Sequence, residues 1–184
     1  ARKATHFIQL ANKSDTPLLF IHNTTGFMVG KKHEQNGMIN AGSQLVHAVA
    51  GSTVPHISLQ VGNSYGAGNY AMCGRSFNPR FLFSYPNSKS GVMGADQLAG
   101  VMEIVKRKSA ESLNKEIDEK LLLEEKQNLA QQAEKKASVW HTTSEVWDDG
   151  VIDPRDTRKY LSIALSAVYN SKIKGTDSFG VFRM

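Results

Sequence analysis

Hydrophobic residues along this chain follow two spacings, and their alternation predicts a series of helices and strands. Four apolar residues at helical spacing predict a first helix that ends before Pro17: Ala4, Phe7, Ile8 and Ala11. The continuous apolar run 17–21 predicts a strand that is buried on both faces. A charged loop over 31–37 then leads to a second helix, which carries Leu45, Val46, Val49 and Ala50.

The middle and the end of the chain continue this alternation. Strands are predicted at three places: after Pro55, at 81–85 and at 91–93. Helices are predicted at three more: 95–105, the Lys/Glu-rich segment 106–137 (one helix or a pair, with a solvated face) and the segment after Pro154. The predicted architecture is therefore one α/β domain over 1–184, with right-handed crossovers between its strands.

The stretch 56–75 holds the strongest candidate site. Its strand is followed by Gly62, Gly66 and Gly68, and then by a run compatible with a helix. Such a succession presents backbone N–H groups beside the positive end of a helix dipole. It predicts an anion or oxyanion site, while a purely structural glycine turn fits the same residues. A second glycine-marked turn, 26–30, also follows a strand, and we expect both turns to line one site because ligands bind at the carboxyl ends of parallel strands.

The residue patterns of two known motifs match the central stretch. Residues 62–66 fit G-x-S-x-G, in which Ser64 would be a nucleophile and His141 the only later histidine. A serine hydrolase is the less favoured interpretation of these residues, because His141 follows a long charged run rather than a loop that closes a sheet. Residues 66–71 fit the dinucleotide fingerprint G-x-G-x-x-A, but the acidic residue that this fingerprint needs about 20 positions further on is absent.

The composition limits the function without defining it. The 184 residues include 22 Lys and Arg against 17 Asp and Glu, and the net charge is +5. No arginine-rich patch is interleaved with aromatics, so nucleic-acid binding is not predicted, and no apolar run approaches membrane-spanning length. Cys73 is the only cysteine, which excludes an internal disulfide and fits a reducing compartment. Because the chain begins with Ala1, we expect it to be a piece of a longer protein.

Other chemistries are not favoured by the spacing of candidate residues. Six histidines show no metal-ligand pattern, so no metal site is predicted: His6, His22, His33, His47, His56 and His141. The aspartates around Pro154 are better explained as residues at a helix N-terminus than as a cation site. Cys73 has no basic neighbour in sequence and is predicted to be an inert buried thiol.

Seven segments in order along the chain resemble one known family: 7–10, 17–20, 25–30, 62–70, 72–75, 146–154 and 179–184. They resemble the C-terminal half of the carboxyltransferase (β) subunit of biotin-dependent acyl-CoA carboxylases. Among these, the resemblance is closest to the β subunit of methylcrotonyl-CoA carboxylase. The segments SYGAGNY and FGVFRM carry most of it, and the Lys/Glu-rich segment carries little.

The resemblance implies a crotonase-type fold, a superhelix of repeated ββα units. It implies that an N-terminal domain, which holds the acyl-CoA, is absent from this chain. The active site would lie between the N domain of one protomer and the C domain of another in a homo-oligomer. A separate biotin-carboxylase and biotin-carrier α subunit would deliver carboxybiotin, which releases CO2. The urea anion would then deprotonate the acyl group, and the dienolate would capture the CO2.

The resemblance also implies roles for individual residues. The backbone amides of Ala67 and Gly68 would form the catalytic oxyanion hole for the ureido oxygen, and Ser64 would be structural. Five residues would line the biotin pocket, with the Phe27 carbonyl accepting from the urea N–H: Gly26, Phe27, Met28, Tyr65 and Gly66. Two would bind the acyl-CoA substrate, in a pocket that Tyr65 also shapes: Asn69 and Tyr70.

The implied reaction transfers CO2 to an acyl-CoA, with 3-methylcrotonyl-CoA of leucine degradation as the expected acceptor. Asn63 stands where the family pattern has a glycine, and a propionyl- or geranyl-CoA carboxylase β subunit is the alternative within the family. Alternatives outside it are a hydrolase that uses Ser64 and a non-catalytic assembly module. The implied compartment is the mitochondrial matrix in a eukaryote and the cytoplasm otherwise. Without its N-terminal half the chain is expected to be inactive.

Overall fold

The computed structural model of the chain describes residues 1–182, so the last two residues of the 179–184 motif lie outside the described residues. Within that range five parallel strands form one sheet: β1 (Leu18–Thr24), β2 (His56–Tyr65), β3 (Phe81–Ser84), β4 (Lys89–Gly91) and β5 (Gly150–Val151). The same range contains eight α-helices: α1 (Arg2–Lys13), α2 (Lys31–Gln35), α3 (Met38–Gly51), α4 (Gly66–Ala71), α5 (Ala95–Ser112), α6 (Glu119–Ala137), α7 (Val139–Ser144) and α8 (Thr157–Val168).

Strand β2 is the centre of the sheet. The strand order is β1-β2-β3-β5, and β4 pairs with the second half of β2, where Asn63 lies opposite Lys89. All of these pairings are parallel, which confirms the predicted α/β class. The carboxyl end of β2 therefore has β1 on one side and β4 on the other, and α4 follows it directly.

Two apolar clusters cover the two faces of the sheet. On one face α1, α3 and α4 pack against β1 through a cluster that includes Ile8, Phe20 and Val49. On the other face α8 packs against β2 and β3 through Ala164 and Val168. This division follows from the alternation of side chains along β2, which lies between both layers.

The prediction that the strand at 17–21 is buried on both faces is wrong. Strand β1 alternates, and its outward residues Leu19 and Ile21 are 44% and 53% exposed. Leu19 pairs with Ile57 and Ile21 pairs with Leu59, so these outward residues share a face with the second cluster. Since β1 is the edge strand and α8 packs over β2 and β3, the outward face of β1 stays uncovered.

Several further elements differ from the sequence expectation, including the strand predicted at 91–93, which is observed as β4 at Lys89–Gly91. The predicted charged loop 31–37 contains the short helix α2, and α5 continues past residue 105 to Ser112. Strand β2 runs through Gly62 to Tyr65, so the turn begins only at Gly66. Gly62 packs inside the strand against the Asn23 side chain, which would have to move to admit a Cβ at this position.

The Lys/Glu-rich segment forms a pair of antiparallel helices, α5 and α6, as one of the two predicted forms. Ion pairs link them along exposed surface: Glu103 with Lys126, Lys106 with Glu125, and Arg107 with Glu119. The Asp118 carboxylate accepts from the backbone N–H groups of Lys120 and Leu121 and so caps α6. The predicted solvated charged face is therefore present. No helix in residues 1–182 combines the length and apolar character that crossing a membrane requires.

Candidate functional site

The predicted turn lies at the start of α4, where two glycines bring the backbone close to neighbouring chain. Gly66 has a φ of +51°, and a Cβ at this position would lie 2.7 Å from the Val92 carbonyl oxygen. A side chain at Gly68 would lie 2.9 Å from the Cα of Gly26 and 3.1 Å from Cγ2 of Thr24. Glycine is therefore required at both positions. As a result, neither residue 66 nor residue 68 covers the backbone at the start of α4 with a side chain.

The two glycine-marked turns of the sequence meet at this point. Gly26, with a φ of +128°, packs directly on Gly68, and its N–H donates to Thr24 Oγ1 at 3.2 Å. Phe27 packs its ring over Gly42 of α3, while Met28 is exposed. The two turns therefore touch through their backbones, but they line different openings rather than the one site that was expected.

A cavity of about 630 Å³, which we call the α4 cavity, opens on one side of this turn. Four predicted site residues line it: Gly66, Ala67, Asn69 and Tyr70. Gly66 was predicted in the biotin pocket, but it lines the same cavity as the residues predicted for the acyl pocket.

A second cleft, of about 870 Å³, lies on the other side, and we call it the turn cleft. Phe27 and Tyr65 line it together with Lys89, which forms an ion pair with Glu134. Burial raises the pKa of Tyr65, with a smaller contribution from the negative charge of Glu134. The start of α4 therefore separates the two openings: Tyr65 faces one and Gly66 the other.

The polar residues that line one wall of the α4 cavity were not among the predicted site residues. Ser84 ends β3, Gln60 lies on β2, and both are buried. Asp148 is also buried, and its Oδ1 accepts from Thr143 Oγ1 at 2.6 Å. Among residues 1–182, Ser84 Oγ and Asp148 Oδ2 lack a hydrogen-bond partner, so water or a bound molecule would have to supply the missing hydrogen bonds. The position of Ser84 at a strand's carboxyl end was the sequence signal for this wall.

Ser64 lies on β2 beneath the turn and is fully buried. Its Oγ accepts from Asn69 Nδ2 at 2.9 Å and lies 2.9 Å from Nδ1 of His22. His22, on β1, is also fully buried, and burial lowers its pKa to about 4 against an opposing effect of the Met72 backbone. The serine and histidine of this pair were not linked by sequence reasoning, because 42 residues separate them.

This geometry argues against the hydrolase reading. An elbow serine must be exposed on a sharp turn, whereas Ser64 is enclosed within a strand. The predicted partner His141 lies on α7, where its ring contacts Trp147. The described contacts of His22 include no carboxylate that would orient it as a general base.

Cys73 behaves as predicted, with one partner that the sequence did not reveal. It is fully buried just after α4, and His56 Nδ1 lies 3.2 Å from its Sγ. Burial raises the pKa of the thiol to about 12 and lowers that of His56 to about 4, so both groups are neutral near pH 7. The thiol is therefore unreactive. Residues 1–182 contain no group of three or more His, Cys, Asp or Glu that could hold a metal ion.

Comparison with known proteins places this geometry in a family. The model of the carboxyl transferase domain matches residues 1–182. The chain belongs to the carboxyl transferase domain family. A Mycobacterium tuberculosis protein named "Probable biotin-dependent acyl-coenzyme A carboxylase beta2 subunit" is 55% identical over the whole chain, which covers 35% of that protein. The mitochondrial methylcrotonoyl-CoA carboxylase beta chain of Dictyostelium discoideum is 44% identical, and the chain covers 32% of it.

Solved structures of carboxyl transferases agree with the fold described above. The β subunit of Pseudomonas aeruginosa geranyl-CoA carboxylase matches the whole chain with a TM-score of 0.83 and 45% identity, over 35% of its own length. The transcarboxylase 12S structure, at 24% identity, matches with a TM-score of 0.79 and supports the fold alone. The predicted crotonase-like α/β fold is confirmed. The chain spans about a third of the length of the curated relatives it matches.

Proposed function

We propose that this chain is the part of an acyl-CoA carboxylase β subunit that binds biotin and stabilises the negative charge formed during carboxyl transfer. One observation carries the proposal. The start of α4, where residues 66 and 68 have no room for a side chain, lies between the α4 cavity and the turn cleft. Two substrates could therefore approach the same backbone from opposite sides. The names of the relatives supply the reaction class.

The proposed contribution of the chain to catalysis is electrostatic. Ala67 and Gly68 are the second and third residues of α4, and first-turn N–H groups have no intrahelical acceptor. No side chain caps α4, so neither amide has a side-chain acceptor. Ala67 lines the α4 cavity, whereas Gly68 is buried against Gly26 and lines neither opening. The proposed donation to an oxygen that gains negative charge is therefore better supported for Ala67 than for Gly68. Bound biotin would supply the ureido group that carries and releases the carboxyl group. The proposal needs no side-chain nucleophile, which agrees with the enclosed position of Ser64.

We assign the two openings to the two substrates. The turn cleft, with Phe27 and Tyr65, would hold biotin, and the Phe27 carbonyl would accept from a urea N–H. The α4 cavity, with Asn69 and Tyr70, would hold the acyl group. Gly26 supports the biotin side through its contact with Gly68, and the exposed Met28 lies at the end of the same turn.

The proposed acceptor is 3-methylcrotonyl-CoA, because several relatives at 44% identity are named methylcrotonoyl-CoA carboxylases. Geranyl-CoA is the second candidate, since the geranyl-CoA carboxylase β subunit is 45% identical. The proposed partners are a biotin-carrying α subunit and further copies of the β subunit; the transcarboxylase structure is described as a hexamer assembly. The eukaryotic relatives are named mitochondrial, and we propose that compartment for a eukaryotic source only.

The reaction is tested in a complete β subunit that carries this chain, assembled with a biotinylated α subunit. Labelled bicarbonate is followed into 3-methylcrotonyl-, geranyl- and propionyl-CoA. We expect label in 3-methylcrotonyl-CoA. Label in another acyl-CoA would keep the reaction and change the substrate. No label, from a complex whose biotin is shown to be carboxylated, would contradict the proposed function.

The oxyanion role is tested by Ala67→Pro in the same complex. Proline is tolerated in the first turn of a helix and removes the amide hydrogen, so the main change is the loss of one donor. We expect kcat to fall on the order of 10²–10³-fold, as for other oxyanion-hole donors. Initial rates of acyl-CoA carboxylation measure this effect.

Ile39→Pro is the matched control for that substitution. Ile39 is exposed and is also the second residue of a helix, α3, so proline removes an equivalent first-turn N–H outside both openings. The control should retain the rate of the unmodified complex. Equal rates for the two variants, with both complexes assembled, would rule out the proposed oxyanion hole.

A further inference from the structure

We propose that His22 and Ser64 are positioning residues that hold the start of α4 in place for catalysis, through Asn69. The inference rests on the proposed function, because α4 carries the amides that would donate to the reacting oxygen. Neither residue touches either opening: His22 and Ser64 are both fully buried and line neither the α4 cavity nor the turn cleft. They would act on the reaction only through the helix above them.

Helix α4 needs support from outside itself. It has six residues, which is far shorter than the roughly 12–15 that an isolated helix needs in water, and it has no side-chain N-cap. Its position is therefore set by tertiary contacts. Gly68 fixes one side of it against Gly26, but that contact is made of backbone atoms only and supplies no hydrogen bond in the structure.

A chain of side-chain hydrogen bonds supplies that support from two strands. Asn69 Nδ2, on α4, donates to Ser64 Oγ on β2 at 2.9 Å, and Ser64 Oγ lies 2.9 Å from His22 Nδ1 on β1. The Met72 backbone, just after α4, lies near the His22 ring and opposes the effect of burial on its pKa, but His22 Nε2 has no hydrogen-bond partner among the described residues. The hydrogen-bonded link from His22 to α4 therefore runs through Ser64 to Asn69 in the middle of the helix.

The chemistry of these groups fixes the direction of the hydrogen bond between Asn69 and Ser64, whereas the tautomer of His22 sets the direction of the second bond. An amide nitrogen only donates, so Ser64 Oγ must accept from Asn69. The hydroxyl proton of Ser64 is then available for His22 Nδ1, which accepts it if the ring is neutral with its proton on Nε2. Burial keeps the ring neutral by lowering its pKa to about 4. A ring with its proton on Nδ1 would instead donate to Ser64 Oγ, so both neutral tautomers keep the link, and in either case His22 Nε2 has no hydrogen-bond partner among the described residues. The link is lost when the Nδ1 atom is removed.

The test compares two substitutions of His22 in the complete β subunit assembled with its biotinylated α subunit. His22→Asn can place an amide oxygen near the Nδ1 position and keep an acceptor for Ser64, whereas His22→Leu removes it. We expect His22→Leu and Ser64→Ala to lower kcat about 10–100-fold, since misplacement of a reacting group by about 1 Å has effects of that size. His22→Asn should recover most of that loss, and KM for the acyl-CoA should change less than threefold.

His56→Leu is the matched control. His56 is a second buried histidine with the same lowered pKa, but it bonds Cys73 and Ser52 rather than Ser64. It should destabilise the protein to a similar extent while the assembled complex keeps its kcat.

Equal losses of kcat in His22→Leu and His56→Leu, or no recovery in His22→Asn, would overturn the inference. A general loss of stability would then explain the lower kcat. If the unmodified complex, with its biotin carboxylated, transfers no carboxyl group to an acyl-CoA, the proposed function itself is contradicted. The two failures are therefore distinguishable.

Discussion

At the scale of single residues, the two buried histidines make the stability of the chain depend on pH. The pKa values of His22 and His56 are both lowered from 6.5 to about 4, in each case because burial disfavours the charged ring. The unfolded chain therefore binds more protons than the folded chain between pH 6.5 and pH 4. The stabilising contribution is complete above pH 6.5 and is lost as the pH falls, by up to about 3 kcal/mol per histidine.

The pH dependence is measured by urea unfolding of the chain at pH 7.5 and at pH 5. We expect a lower midpoint at pH 5, and a smaller difference between the two midpoints in His56→Leu, which lacks one of the titrating groups. Unchanged midpoints from pH 7.5 to pH 5 would show that the rings are not held neutral by burial. Cys73 does not contribute in this range, since its pKa is raised to about 12.

Single residues also show how far sequence reasoning reached at the site. The glycine pattern 66–68 was informative because glycine is required where the backbone touches Val92 and Gly26, and such requirements remain visible in the sequence. The separation into two openings was not visible in the sequence, because residues such as Phe27 and Lys89 come to line one cleft only after the strands pair. The partners of Ser64 were missed for the same reason.

At the scale of elements, the helical hairpin of α5 and α6 depends on local capping. Asp118 accepts hydrogen bonds from the first-turn N–H groups of α6, and only Leu122 and Ala137 of that helix are buried. Asp118→Ala should therefore cost about 1 kcal/mol. Since few buried contacts tie the hairpin to the sheet, the loss should appear as local opening rather than as a lower global stability.

Hydrogen exchange measures that local opening. The backbone amides of Lys120 and Leu121 should exchange faster in Asp118→Ala, while amides in β2 keep their protection. Glu111→Ala, at the exposed end of α5, is the control and should leave both groups unchanged. Uniform loss of protection across β2 and α6 would mean that the hairpin and the sheet unfold as one unit.

Elements were predicted correctly where a periodic pattern of hydrophobic residues extends over many residues. They were missed or misplaced where tertiary contacts decide the boundary. The helices at 38–51 and 119–137 have such periods, and the pair of helices in the Lys/Glu-rich segment was one of the predicted forms. Helix α2 has no buried residue and therefore no period to detect. The end of β2 was misplaced because Gly62 has the composition of a turn but packs inside a strand against Asn23.

At the scale of the whole molecule, the sheet has one apolar face that its own helices cover only in part. Phe83 of β3 and Leu59 of β2 pack with α8, and in the next strand Ile21 continues the same row. Edge strands with exposed apolar side chains pair readily with other chains. The chain spans about a third of its curated relatives, and an uncovered apolar face of this kind is consistent with the proposed homo-oligomer.

We therefore expect the chain on its own to self-associate through β1. The double substitution Leu19→Thr and Ile21→Thr places β-branched residues, which suit a strand, at both positions and removes apolar surface, so it should reduce association without unfolding the chain. Sedimentation velocity over a range of concentrations measures this. Leu113→Gln removes a similarly exposed leucine from the loop between α5 and α6 and should leave association unchanged. A monomer at every concentration, or an equal effect of Leu113→Gln, would show that the outward face of β1 is not an interaction surface.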